Sequence, residues 1–121
     1  MTDPSSIDTA LVDDLRGRLW VARGMLSRTV VRTDDELATL EAHPAGPPVE
    51  DAAMETVAAI LSRLEGQQRH ELDEIDDALA RLESGTFGLC QRCQRPIALA
   101  RLRAMPQARH CIGCEEELEA R

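Results

Sequence analysis

The chain has 121 residues, a net charge of −8, and Trp20 and Phe87 as its aromatic residues, with no tyrosine. It is long enough for one domain, or one small domain with an extension, and it holds no run of 18 apolar residues that could cross a membrane. The acidic balance and the scarcity of stacking side chains argue against a general nucleic-acid binder.

The opening MTDPSSIDTA lacks the basic start and apolar core of a secretory leader, so the expected address is cytoplasmic. From residue 8 to 42, Leu15, Leu19, Ala22, Leu26, Val30, Leu37 and Leu40 recur at helical steps and predict one apolar stripe. Asp8 is placed to cap that helix. Gly17 and Gly24 weaken it by about 1 kcal/mol each relative to alanine, so the stripe needs a partner.

The segment HPAGPPVED, residues 43–51, predicts a break, because Pro44, Gly46, Pro47 and Pro48 stop a helix and turn the chain. A second stripe follows from Val49 to Glu83 through Met54, Val57, Leu61, Leu64, Leu72, Ile75, Leu79 and Leu82. It is interrupted near Gly66 and Gln68, which predicts a polar layer in mid-seam. Two helices of about 35 residues, each about 50 Å long at 1.5 Å per residue, joined by a short loop, should fold back as an antiparallel hairpin. Such a pair buries a single seam, so it either self-associates or enters something else. Gly85 is placed to end the second helix.

All four cysteines lie in CQRCQRPIALARLRAMPQARHCIGC, as Cys90, Cys93, Cys111 and Cys114. Two C-x2-C pairs separated by seventeen residues read as a four-thiolate structural zinc site. Iron in a rubredoxin-like site uses the same ligands, and spacing does not separate the two metals. Disulfides suit secreted chains, and a thioredoxin-like pair needs a βαβ setting that is absent here. His110 reads as a neighbour of a complete ligand set. A loop of this size cannot bury a useful core alone, so metal should supply much of its folding energy.

Charge is uneven along the chain. Residues 85–114 hold five arginines (Arg92, Arg95, Arg101, Arg103 and Arg109) and no acid, whereas residues 1–84 carry a net −10. With zinc and four thiolates contributing −2, the cysteine segment would carry about +3. Opposite biases of this kind describe two solvated surfaces, or two contact surfaces for one large partner. On the second reading Arg92, Arg95, Arg101 and Arg103 are the partner-contact candidates.

A helical hairpin followed at once by GTFGLCQRCQRPIALARLRAMPQARHCIGC resembles the DksA/TraR family of bacterial transcription regulators. The residues that carry the likeness are Gly85, Thr86, Phe87, Gly88, Cys90, Cys93, Ile97, Arg101, Leu102, Ala104, Pro106, Cys111 and Cys114. Gln94 stands where the family usually has glycine. The resemblance implies a mostly α fold: a long antiparallel helical hairpin (coiled coil), a small four-cysteine zinc-finger module and a short C-terminal helix. The expected domains are an arm over 1–84, with its tip loop near 43–51, and a zinc module over 85–121.

The resemblance also implies a partner, bacterial RNA polymerase, bound without sequence-specific DNA contact. The hairpin tip would enter the secondary channel, and carboxylates there would alter initiation. The family's tip signature D-x-x-D-x-A falls on PVEDAA, with Asp51 and Ala53 on the second aspartate and the alanine. Pro48 occupies the first aspartate's place, and Glu50 is the stand-in. Asp51 equally suits the first turn of a helix, where an acid favours the dipole. Family members that bind guanosine tetraphosphate use basic groups at positions that here carry Glu74, Met105 and Glu115, so an alarmone site of that kind is not expected.

Three function classes follow: a polymerase-binding regulator, a nucleic-acid-binding zinc knuckle using the arginines on phosphates, and a self-associating structural coiled coil. An enzyme is not expected. One zinc saturated by four cysteines has no open position for water, and His43 and His70 read as solvated residues.

Overall fold

A computed structural model of the chain describes residues 8–120. Residues 1–7 of the opening stretch and Arg121 lie outside the described residues. The elements run α1 (Thr9–Glu41), α2 (Pro48–Ser84), α3 (Leu99–Ala104) and α4 (Ile112–Glu119). The described residues contain no strand, only an isolated antiparallel bridge between Leu89 and Pro96. The fold is thus the mostly helical one expected, with α3 as an element the sequence reading did not mark. By contacts the chain divides into two units, residues 24–73 and a second formed by the remainder.

The cap at the start of α1 is as expected: Leu11 donates its N–H to Asp8 Oδ1 at 2.8 Å. In the 24–73 unit the two helices run antiparallel, joined by residues 42–47. Arg69 bridges them, donating to Asp34 Oδ2 at 2.9 Å while also holding Glu65 at 2.9 Å on its own helix. Arg69 and Asp34 are solvent-exposed and Glu65 is partly covered, and pairs of this kind contribute little. They fix register more than stability.

The seam of this unit is short of apolar groups. Its buried side chains are Val30, Thr33, Leu37 and Gln68. Thr33 satisfies its hydroxyl on the Thr29 carbonyl at 3.0 Å, but Gln68 Oε1 is buried without a hydrogen-bond partner. The polar layer expected near Gln68 is therefore present.

Three residues of the predicted stripes are not in the seam. Ala22 is exposed, and Val57 and Leu64 are 46% and 41% exposed. On α2 the covered positions of this unit are Asp51, Met54, Ala58, Leu61, Glu65, Gln68 and Leu72. Their steps alternate four and three, the 3.5-residue repeat that keeps one line of a helix facing its neighbour. Register thus overrides side-chain type. Ala58 and Glu65 take seam positions, while Val57 and Leu64, one residue earlier in each case, turn outward.

In the other unit Leu19, Ile75, Ala78 and Leu82 are buried, and Arg23 donates to Asp76 at 2.6 Å across α1 and α2. The helix α2 ends as expected at Gly85, whose φ of 78° is left-handed and is open to glycine without steric cost. The Thr86 N–H returns to the Arg81 carbonyl at 3.0 Å, the long closing bond of a Schellman motif.

The predicted tip loop is shortened at one side. Pro48 opens α2 rather than extending the turn. At a first helical position its missing N–H is no loss and its fixed φ is already helical. Glu50, Asp51 and Ala53 accordingly lie on the first turns of α2.

The orphaned Gln68 carbonyl yields a direct expectation. Gln68→Leu should stabilise the protein by about 1–2 kcal/mol, because it removes a buried unsatisfied acceptor. Chemical denaturation followed by circular dichroism would show the gain as a higher midpoint with unchanged slope.

Candidate metal centre

Two turns present the four sulfurs. In the first, the Cys90 N–H donates to the Arg95 carbonyl at 2.8 Å, the Gln94 N–H to the Cys90 carbonyl at 2.9 Å, and the Ile97 N–H to the Gly88 carbonyl at 2.7 Å. These bonds curl residues 88–97 so that Cys90 and Cys93 face one point. In the second, Cys111 is the N-cap of α4 and Cys114 lies in that helix's first turn. The Gln91 N–H donates to the Arg109 carbonyl at 2.9 Å and ties one turn to the other. The intervening segment holds α3, whose Leu102 is fully buried. Pro106, also buried, follows its end.

The four Sγ atoms all lie within 4.8 Å of one another, and Cys93 Sγ is 3.8 Å from Cys111 Sγ. A tetrahedron with zinc–sulfur bonds of about 2.3 Å has edges of about 3.8 Å. A disulfide would need about 2.05 Å, and all four cysteines are free thiols. The set fits one structural zinc, and no further histidine or carboxylate joins the cluster among the described residues. His110 instead meets Glu115 Oε2 at 3.1 Å through Nδ1, in line with its reading as a neighbour.

As thiols, Cys90 and Cys114 would not ionise alike. Burial pushes the Cys90 thiol up, but hydrogen bonds from the backbone N–H groups of Cys93, Cys111 and Arg92 outweigh it and hold the pKa down to about 6. The Cys114 thiol is pushed up to about 12, first by its hydrogen bond with Cys111 and then by burial. A divalent cation removes this asymmetry by holding all four as thiolates. The α4 N-terminus adds favourable dipole charge beside Cys111 and Cys114.

Cys90 is fully buried in a cluster with Leu15, Ile97, Leu102 and Ala108, and Leu11, Phe87, Leu99, Cys111 and Cys114 pack against it. The metal turns therefore do not build their core alone: Leu11 and Leu15 of α1 close it. Leu15 is buried as its stripe predicted, but its neighbours are in the cysteine segment.

One arginine here escaped the sequence reading. Arg81 is buried, with Nη2 directed at the carbonyls of Gln107 and Ala108, both at 3.4 Å. Burial, and then the nearby Arg109, lower its pKa below the ordinary arginine value. Arg109 in turn reaches Asp77 at 3.3 Å. No local pattern marked Arg81, because it follows an ordinary helical run.

The four predicted contact arginines divide. Arg92 is tied to Glu117 on α4. Arg101, half-buried, donates its Nε–H to the His110 carbonyl at 3.0 Å and braces the turn before Cys111. Arg95 and Arg103 are exposed. At the tip, Asp51 Oδ1 accepts the Gly46 N–H at 3.0 Å, so one carboxylate oxygen holds the turn, while Glu50 and Ala53 are exposed. Of the three positions read against an alarmone, Met105 is exposed and Glu115 is engaged with His110.

Residues 85–120 match the family model described as prokaryotic dksA/traR C4-type zinc finger. Over nearly the whole chain, the solved structure of transcription factor DksA2 from Pseudomonas aeruginosa aligns with a TM-score of 0.84 at 33% identity, covering 99% of this chain and 92% of that one. The chain belongs to the DksA/TraR family.

Curated relatives extend the likeness. The RNA polymerase-binding transcription factor DksA of Caulobacter vibrioides is 40% identical over 70 residues, which is 58% of this chain and 49% of that protein. Its counterpart in Escherichia coli K12 is 32% identical over 99 residues, 82% of this chain and 62% of that one. The chain thus spans about half the length of the curated relatives it matches. A structure from Chlamydia trachomatis, at 20% identity and a TM-score of 0.60, shares the fold. Gln94, where the resemblance led glycine to be expected, has a φ of 65°. A left-handed non-glycine residue costs about 1–2 kcal/mol.

Two substitutions follow from this geometry. Leu15→Ala should cost about 2–5 kcal/mol and speed zinc release to a chromophoric chelator, although Leu15 lies 75 residues from Cys90 in sequence. Gln94→Gly should stabilise by up to about 1 kcal/mol, the relieved strain being partly offset by glycine's unfolded-state entropy. Paired denaturation curves check both.

Proposed function

We propose that the chain is a zinc-braced, non-catalytic regulator that binds bacterial RNA polymerase and acts through the turn between α1 and α2. The observation that carries this reading is the chain-long likeness to a solved transcription factor, at 33% identity and 99% coverage. The curated relatives, RNA polymerase-binding transcription factors, supply the partner.

In this reading Cys90, Cys93, Cys111 and Cys114 hold one zinc, whose chemistry is structural: it fixes two turns and the start of α4. The chain's own groups do the rest. Glu50 and the free oxygen of Asp51 offer negative charge at the tip, placed in the polymerase secondary channel. Arg95 and Arg103 are the side chains free to meet acidic groups on the partner, whereas Arg92 and Arg101 serve the module itself. Sequence-specific DNA contact is not part of this mode, and Glu74, Met105 and Glu115 offer no cationic site for an alarmone. The absence of a membrane-spanning helix among the described residues accords with work on polymerase in the cytoplasm.

The tip separates charge from fit. Asp51→Asn keeps an acceptor for the Gly46 N–H but removes the charge, whereas Asp51→Ala removes both. With purified polymerase, both variants should bind as wild type does, and both should lose the effect on promoter-complex lifetime. Full effect with Asp51→Asn and loss only with Asp51→Ala would assign Asp51 to shaping the turn. No binding of zinc-loaded wild type at low salt would refute the partner.

A further inference from the structure

Arg81 is a buried cation with no carboxylate hydrogen-bonded to it among the described residues. It is 7% exposed. Its Nη2 reaches the carbonyls of Gln107 and Ala108, both at 3.4 Å, and its Nη1 is buried and finds no acceptor. Asp77 and Glu74 act on it through space and Arg109 opposes them. Asp77 is itself engaged by Arg109, at 3.3 Å. A charge taken out of water is costly unless opposite charge compensates it, so the position of Arg81 calls for an anion.

Arg81 and Cys90 line one cavity of about 230 Å³, together with Thr86, Leu89, Gln91 and Gln94. No carboxylate and no second cation lines it. Ala108, whose carbonyl meets Arg81 Nη2, packs in the same buried cluster as Cys90. The two carbonyls that Arg81 holds belong to the turn that leads into Cys111. We propose that Arg81 is the counter-cation of the loaded metal centre. Its guanidinium offsets the excess negative charge of zinc held by four thiolates, while Nη2 steadies the turn before Cys111. Arg81 is thus a positioning residue rather than a ligand: it acts on the sulfurs through its field and through two carbonyls. Groups outside the ligand set that tune ligands in this way commonly govern metal affinity.

Arg81 stands in the last turn of α2, so the end of that helix belongs to the electrostatics of the metal centre. Loading the site supplies the anion that the buried guanidinium lacks, and the last turn of α2 and the two cysteine turns gain stability together. The charge also bears on which metal is held. A ferric ion would leave the cluster one unit less negative than a divalent ion, so a fixed cation beside it favours the divalent state. Arg109 adds less, because it is partly exposed and already paired with Asp77.

Arg81→Lys and Arg81→Met separate charge from shape, since both side chains are long and unbranched and only lysine is charged. Competition between the full chain and a chromophoric chelator gives the zinc dissociation constant. Arg81→Met should raise it by at least about tenfold, and Arg81→Lys should recover most of the wild-type affinity. In the iron-loaded chain, Arg81→Met should move the ferric/ferrous midpoint to lower potential, with Arg81→Lys near wild type. Lost packing alone does not direct that shift. Equal weakening by Arg81→Lys and Arg81→Met would assign Arg81 to its carbonyl hydrogen bonds and overturn the proposal. Wild-type zinc affinity in Arg81→Met, or an unmoved midpoint, would overturn it as well. Should Arg81→Met not fold, Arg81→Gln, which keeps N–H groups without the charge, makes the same comparison. Polymerase takes no part in these measurements, so their result is independent of the function proposed above.

Discussion

Cys90 is the point on which the unit that holds the cysteine turns closes. Its sulfur is one corner of the thiolate tetrahedron and is also wholly buried among Leu15, Ile97, Leu102 and Ala108. Metal geometry and apolar packing therefore constrain the same atom. Three backbone N–H groups aimed at Cys90 favour its thiolate despite burial. Zinc supplies the cation that lets three further sulfurs approach. Without a cation, four sulfurs this close could not all be ionised.

The 24–73 unit has no such centre. Half of its fully covered side chains, Thr33 and Gln68, are polar, and one carbonyl oxygen there has no partner. Few buried apolar contacts place a segment at the low end of local stability. The turn itself is held by one specific bond, Asp51 to the Gly46 N–H. A residue that could contribute charge to a partner thus already has a structural duty, and the two roles share one carboxylate.

Local chemistry was legible in the sequence. The C-x2-C pairs announce a metal site because both ligands of a pair come from one turn. Asp8 and Gly85 were readable as helix ends because caps depend on a few adjacent residues. The polar layer at Gln68 was visible as a gap in the stripe. What was not legible belongs to pairs of elements. That Ala58 and Glu65 face the seam while Val57 and Leu64 do not is a matter of register between two helices. Pro48 could stop a helix or start one, and only the path of the preceding turn decides. Arg81 gave no sign of burial, since its carbonyl partners Gln107 and Ala108 are distant in sequence. Arg92 and Arg101 looked like outward cations until Glu117 and the His110 carbonyl were seen beside them. The α3 helix, with only Leu99 and Leu102 facing inward, is too short for its period to declare it.

One zinc site braces both the cysteine turns and the start of α1, through Leu11 and Leu15. Amide hydrogen exchange with and without zinc tests it most directly. Zinc removal should abolish protection over residues 88–114 and also over 11–19, while residues 26–40 keep theirs. Loss confined to residues 88–114, with Leu11 to Leu19 still protected, would contradict it. The metal would then hold only its own turns, and α1 would stand on its seam with α2.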